Sequence, residues 1–96
     1  MSKKDEYYKI IDFLCEYNNI SEEKLYTLLK KQELRYLLFL LLKKHKCTDK
    51  NILVNLFGND SERVNLNFRK AEEKFLVNRD FREKYFEIEE EIKKII

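Results

Sequence analysis

The sequence predicts an all-α fold, a single compact domain of six helices. Three observations carry this reading. Proline is absent and Gly58 is the only glycine in 96 residues, so little interrupts a helix and little is on hand for sheet turns. Apolar residues recur at steps of three and four in one stretch after another. Between those stretches stand Ser, Thr, Asp and Asn, the residues that cap helix ends. A chain of this length makes one domain and can bury a core without metals or disulfides.

The first helix is KKDEYYKIIDFLCEYNN, with Ser2 and Asp5 at capping-box spacing and a stripe of Tyr7, Ile10, Ile11, Leu14 and Tyr17. Asn18 and Asn19 end it, because Asn tolerates the left-handed conformation. Ser21 caps the second helix, Glu22 and Glu23 suit its dipole, and Ile20 with Leu25 has the spacing of a hydrophobic staple. Leu25, Leu28 and Leu29 form its buried stripe. The third helix, roughly Glu33 to His45, carries Leu34, Leu37, Leu38, Leu40, Leu41 and Leu42 and is apolar all round, which makes it the central pillar. Lys43, Lys44 and Lys46 suit its C-terminal dipole, and His45 is a solvated end residue among them.

Thr48 is the expected cap of the fourth helix, whose core face is Ile52, Leu53, Leu56 and Phe57. Gly58 ends it, since glycine takes positive φ freely. Asp60 or Ser61 caps the fifth helix, and Val64, Phe68, Ala71 and Phe75 share its buried face. After a break at Val77 to Arg79, Asp80 and Glu83 open the sixth helix at capping-box spacing. Its face of Phe81, Tyr85, Ile88, Ile92 and Ile95 folds back on the core or, as the second reading, joins two copies in a homodimer.

The segment from about 48 to 76 therefore reads as a helix-turn-helix, with a glycine in the turn and an aliphatic residue, Val64, six positions later. Its outward face holds Glu62, Leu66, Arg69, Lys70 and Glu73, with Arg63 and Asn65 at the edges. Arg63, Asn65 and Arg69 are donors suited to base edges, Leu66 suits a thymine methyl, and Glu62 can accept from cytosine. Ser61 sits in the first turn of the same helix. The net charge is a modest +2, but residues 24 to 50 carry Lys24, Lys30, Lys31, Arg35, Lys43, Lys44, Lys46 and Lys50 against Glu33 and Asp49, while the last helix is acidic. Lys43, Lys44, Lys46 and Lys50 are the expected phosphate contacts, with backbone N–H groups near Thr48 beside them. The expected partner is double-stranded DNA, and the expected role is that of a small transcriptional regulator. The rival is a helical protein-interaction module using Leu66, the tyrosines or the acidic last helix.

Other function classes find little support. There is no Gly-rich phosphate loop, nucleophile elbow or H-E-x-x-H, and the single histidine has no partners at metal-ligand spacing, so neither catalysis nor a metal or other cofactor is expected. No apolar run approaches the roughly 20 residues of a membrane span. Isolated Cys15 and Cys47, and an N-terminus MSKKDEYYK without an apolar leader, predict reduced thiols in a cytoplasmic protein.

The order of segments resembles one known family. EYNNIS after the first helix, LLKK after the second, the long apolar helix, TDKNILVNLFGNDSERV, RKAEEKF and DFREKYFEIEEEIKKI together resemble the C-terminal DNA-binding domain of the bacterial replication initiator DnaA and the related Trp repressor-like helix-turn-helix group. The resemblance covers nearly the whole chain and implies a Trp repressor-like fold that binds DNA. Two departures stand out. Only KKQELR separates the second and third helices, where the DnaA family has a long basic loop. Asp60 matches the start of that family's recognition motif, but Ser61, Glu62 and Arg63 replace the rest. The resemblance thus implies DNA binding in general rather than recognition of the initiator's own box.

Overall fold

The apolar third helix is the axis of the molecule. In the computed structural model, which describes residues 3–58 and 60–95, it runs as α3 from Gln32–Lys44 and buries Tyr36, Leu37, Leu38, Phe39, Leu41 and Leu42. Around it lie α1 (Lys3–Asn18), α2 (Glu22–Leu28), α4 (Lys50–Phe57), α5 (Ser61–Val77) and α6 (Arg79–Lys93). Helices α1, α5 and α6 pack directly on α3, α2 packs on α1, and α4 packs on α5. The described residues form an all-helical globule with no strand, and its radius of gyration of 12.6 Å is that of a compact chain of this length.

Each helix ends for a local reason. Asn19, at φ 54, closes α1 with Ile20 N–H donating to the Cys15 carbonyl at 2.9 Å and Asn19 N–H to Glu16 at 3.1 Å, the paired bonds of a Schellman end. Lys46, at φ 61, closes α3 the same way, through Cys47 N–H to Leu42 at 2.7 Å and Lys46 N–H to Lys43 at 3.1 Å. Ser21 caps α2 by accepting from the Lys24 N–H. Gly58, at φ 67, ends α4 with its N–H on the Val54 carbonyl at 2.9 Å, and Asp60 caps α5 by accepting from Arg63 N–H at 2.8 Å. A Cβ on Gly58 would meet nothing within 4 Å, so Gly58→Ala is a purely conformational cost of about 1–2 kcal/mol. Thermal denaturation should show a melting point lower by several degrees with the fold intact.

Several sequence expectations are corrected. Asp49, not Thr48, caps α4: its carboxylate accepts from Asn51 N–H at 2.9 Å and Ile52 N–H at 3.3 Å, while Thr48 stands one residue too early. Asp49→Ala should therefore cost about 0.5–2 kcal/mol, whereas Thr48→Ala should change stability by no more than about 0.5 kcal/mol. Urea unfolding of the two variants separates these outcomes. Asp80 does not open α6; Asn78, extended at φ −112 and ψ 108, closes α5 and caps α6 by accepting from Phe81 N–H. The expected break at Val77 to Arg79 is thus a single residue. Tyr17 is exposed, its ring beside Phe13, which takes the buried place. Helix α3 is shifted one residue earlier than expected, and Leu28 is only half-buried. His45 is half-buried rather than solvated, with a buried Nε2 that has no hydrogen-bond partner among the described residues. Ser2, expected in a capping box, lies outside the described residues.

The α4–α5 pair is anchored by aromatic packing. The Phe39 ring of α3 meets Phe68 of α5 edge-on at 4.9 Å and Phe57 of α4 at 5.7 Å, and Tyr26 of α2 adds a contact to Phe57 at 6.2 Å. Aromatic pairs at such separations add to simple area burial. Tyr7 of α1 fixes the other end of α4, its hydroxyl accepting from Asp49 N–H at 2.8 Å.

Phe81, Tyr85, Ile88 and Ile92 of α6 are buried inside this single chain, leaving Ile95 alone of that face exposed at 64%. This face thus folds back on the core, as its first reading has it, and little of it is left for the homodimer of the second reading. Beside it Glu89 is buried and neutralised by two lysines, Lys93 Nζ at 3.4 Å and Lys44 Nζ at 3.9 Å. Burial, then the Glu89 charge, pushes the Tyr85 hydroxyl above the ordinary phenol range.

Candidate functional site

Helix α5 is amphipathic in the way its sequence requires. Val64, Asn67 and Ala71 are buried and Phe68 and Phe75 partly so, which turns Glu62, Arg63, Asn65, Leu66, Arg69, Lys70 and Glu73 to solvent. Ser61 is exposed in the first turn. No other described helix covers this face, and Leu66 stands 38% exposed at its middle. Arg63, Arg69 and Lys70 form no ion pair with any described carboxylate. Asp60, Glu62, Arg63, Leu66 and Arg69 line a shallow surface cleft along the outer side of α5.

The lysines expected to hold phosphate are divided. Lys43 pairs with Glu72 in the C-terminal half of α5, and Lys44 faces Glu89 of α6, so neither is paired with the N-terminal turns of α5. Lys46 and Lys50 are exposed and unpaired among the described residues. The backbone near Thr48 is corrected as a phosphate site. Asp49 N–H donates to Tyr7, and the Asn51 and Ile52 N–H groups donate to the Asp49 carboxylate, whose charge repels an anion.

A second cluster of cations was not anticipated as a site. Lys30 and Arg35 sit across from Arg63 and Lys70 on the walls of a groove of about 620 Å³. Its lining is part polar and part apolar, with half-buried Tyr26 and Phe57 in front of buried Tyr36 and Phe39, and no carboxylate is among its lining residues. Arg35 is held in place on three sides. Its Nε donates to Asn67 Oδ1 at 3.0 Å and its Nη1 to the carbonyls of Leu29 at 3.4 Å and Lys30 at 3.3 Å. The guanidinium also lies 5.2 Å from the centre of the Tyr36 ring. Asn67, 6% exposed, is the polar residue that makes this possible. Its position between Val64 and Phe68, on the buried stripe of α5, is the sequence signal for a buried polar pair.

Cys15 and Cys47 are both buried as free thiols, and burial raises both above the ordinary thiol range, Cys47 to about 11. Neither is poised as a nucleophile. Among the described residues no group of three or more His, Cys, Asp or Glu could hold a metal ion, and no helix is long and apolar enough to cross a membrane. Comparison with protein-family models, curated proteins and solved structures finds no match to the chain.

Proposed function

We propose that the protein binds double-stranded DNA, with α4, the Gly58 turn and α5 acting as a Trp repressor-like helix-turn-helix, and that it serves as a small transcriptional regulator. The observation that carries the reading is the uncovered face of α5, with Arg63, Arg69 and Lys70 unpaired along it. A helix projecting its N-terminal turns from a rigid core fits the major groove, where Arg63, Asn65 and Arg69 would meet base edges. The left-handed Gly58 and the Asp60 cap give the tight reversal that such a pair needs. Lys46 and Lys50 are free to hold phosphates, and Lys43 can exchange its weak surface pair with Glu72 for one. The likeness to the DnaA C-terminal domain supports the same reading.

One observation favours the rival protein-interaction module: Leu66 is exposed between the carboxylates of Glu62 and Glu73. Chemical-shift mapping with a mixed-sequence duplex separates the two. DNA binding predicts that the amides of Arg63 to Lys70 move first. Absence of any shift at low salt would remove the DNA reading and leave the module.

A further inference from the structure

We propose that the groove between the α2–α3 turn and α5 binds the phosphate of a nucleotide unit, and that its aromatic lining carries the sugar or base. The volume, about 620 Å³, lies within the range of small-molecule sites. Lys30, Arg35, Arg63 and Lys70 bring four cations to its walls with no lining carboxylate, in a chain that holds 18 acidic residues. Arg35 is the fixed element. Its three acceptors are an amide oxygen and two carbonyls, all neutral, so its charge is positioned but not neutralised. A guanidinium locked before the ligand arrives loses little freedom on binding a tetrahedral anion.

Half-buried Tyr26 and Phe57, with exposed Leu66, supply the accessible apolar part of the lining, while Tyr36 and Phe39 are buried behind them. A ring-bearing phosphate satisfies both halves of this surface, whereas a bare anion leaves the apolar half unused. Arg63 and Leu66 line both this groove and the cleft that holds Arg69, so the phosphate site is continuous with the outer face of α5. The nucleotide unit can belong to a DNA strand flanking the site or be a free mononucleotide. The strand source rests on the DNA-binding reading above; the free source does not.

The test uses the whole chain and its Lys30→Gln/Lys70→Gln variant. Both lysines are exposed and unpaired among the described residues, and circular dichroism should show a melting point unchanged within a few degrees. In the first arm AMP is titrated while the backbone amides are followed by NMR, with adenosine as the uncharged control. AMP should shift Arg35, Tyr36 and Asn67 at least tenfold more tightly than adenosine, and the double variant should lose that advantage. In the second arm the salt dependence of binding to a mixed-sequence duplex is measured, and loss of two phosphate contacts should reduce the log–log slope by about two. A response in the first arm only identifies a free nucleotide as the ligand. A response in the second only identifies a DNA strand, and in both identifies a site open to either. AMP binding to a protein that does not bind duplex DNA removes the DNA function and leaves the groove standing. No AMP shift in the groove together with an unchanged slope, or AMP binding that the double variant does not weaken, overturns the proposal.

Discussion

Leu38→Ala is expected to cost about 2–5 kcal/mol, the range for truncating a fully buried leucine. Leu38 is 0% exposed at the middle of α3, the helix on which α1, α5 and α6 all pack. Neighbours on several helices cannot collapse into the gap together without disturbing the others, which places the cost in the upper part of the range. For a domain of this size each kcal/mol moves the melting point by about 4–8 °C, so a fall on the order of 10–30 °C is expected. Leu28→Ala is the control. Leu28 is only half-buried on α2, and its truncation should cost less than half as much. Equal losses at the two positions would show that α3 is not the central support.

Arg69→Ala is expected to weaken duplex DNA binding about tenfold to a hundredfold, the span for removing one good side-chain contact to a base. Arg69 lies exposed on α5 in line with Leu66 and Glu62, with no carboxylate partner among the described residues to hold it elsewhere. Glu73→Ala on the same exposed face should leave affinity equal or higher, because it removes a charge that repels phosphate. Neither side chain supports the core, so both variants should melt close to the parent. If Arg69→Ala binds as tightly as the parent, the exposed face of α5 is not the reading surface.

Helix number and core placement were legible because periodicity reports burial directly. The run Leu37 to Leu42 has no polar face, and it could only be central. Gly58 and Asp60 announced the turn because each has a conformational or capping role that few other residues fill. The caps of α4 and α6 were missed by one and two positions for a shared reason. Thr48 and Asp49, or Asn78 and Asp80, are all competent caps, and the choice is made by where the preceding element releases the chain. Asn78 is the clearest case, since one extended residue ends α5 and starts α6.

The site was legible on one side only. Residues pointing away from the α5 stripe follow from helical geometry, so Arg63, Leu66 and Arg69 were placed correctly on the exposed face. Which distant cations approach that helix depends on how α3 lies beside α5, and spacing along the chain does not contain that. The parallel approach puts Arg35 against Asn67 and Lys43 against Glu72. Lys30 and Arg35 thereby reach the N-terminal half of α5, and the conspicuous KKHK run after α3 is carried past it. Asn67 interrupts an otherwise apolar stripe, and that interruption was the available clue to the groove.

The salt dependence of binding to mixed-sequence duplex DNA, followed by fluorescence anisotropy, tests the central claim most directly. With about four phosphate contacts from Lys30, Lys46, Lys50 and Lys70, affinity should be measurable at low salt and the log–log slope about −3 to −4. No binding at low salt, or an affinity indifferent to salt, would contradict it.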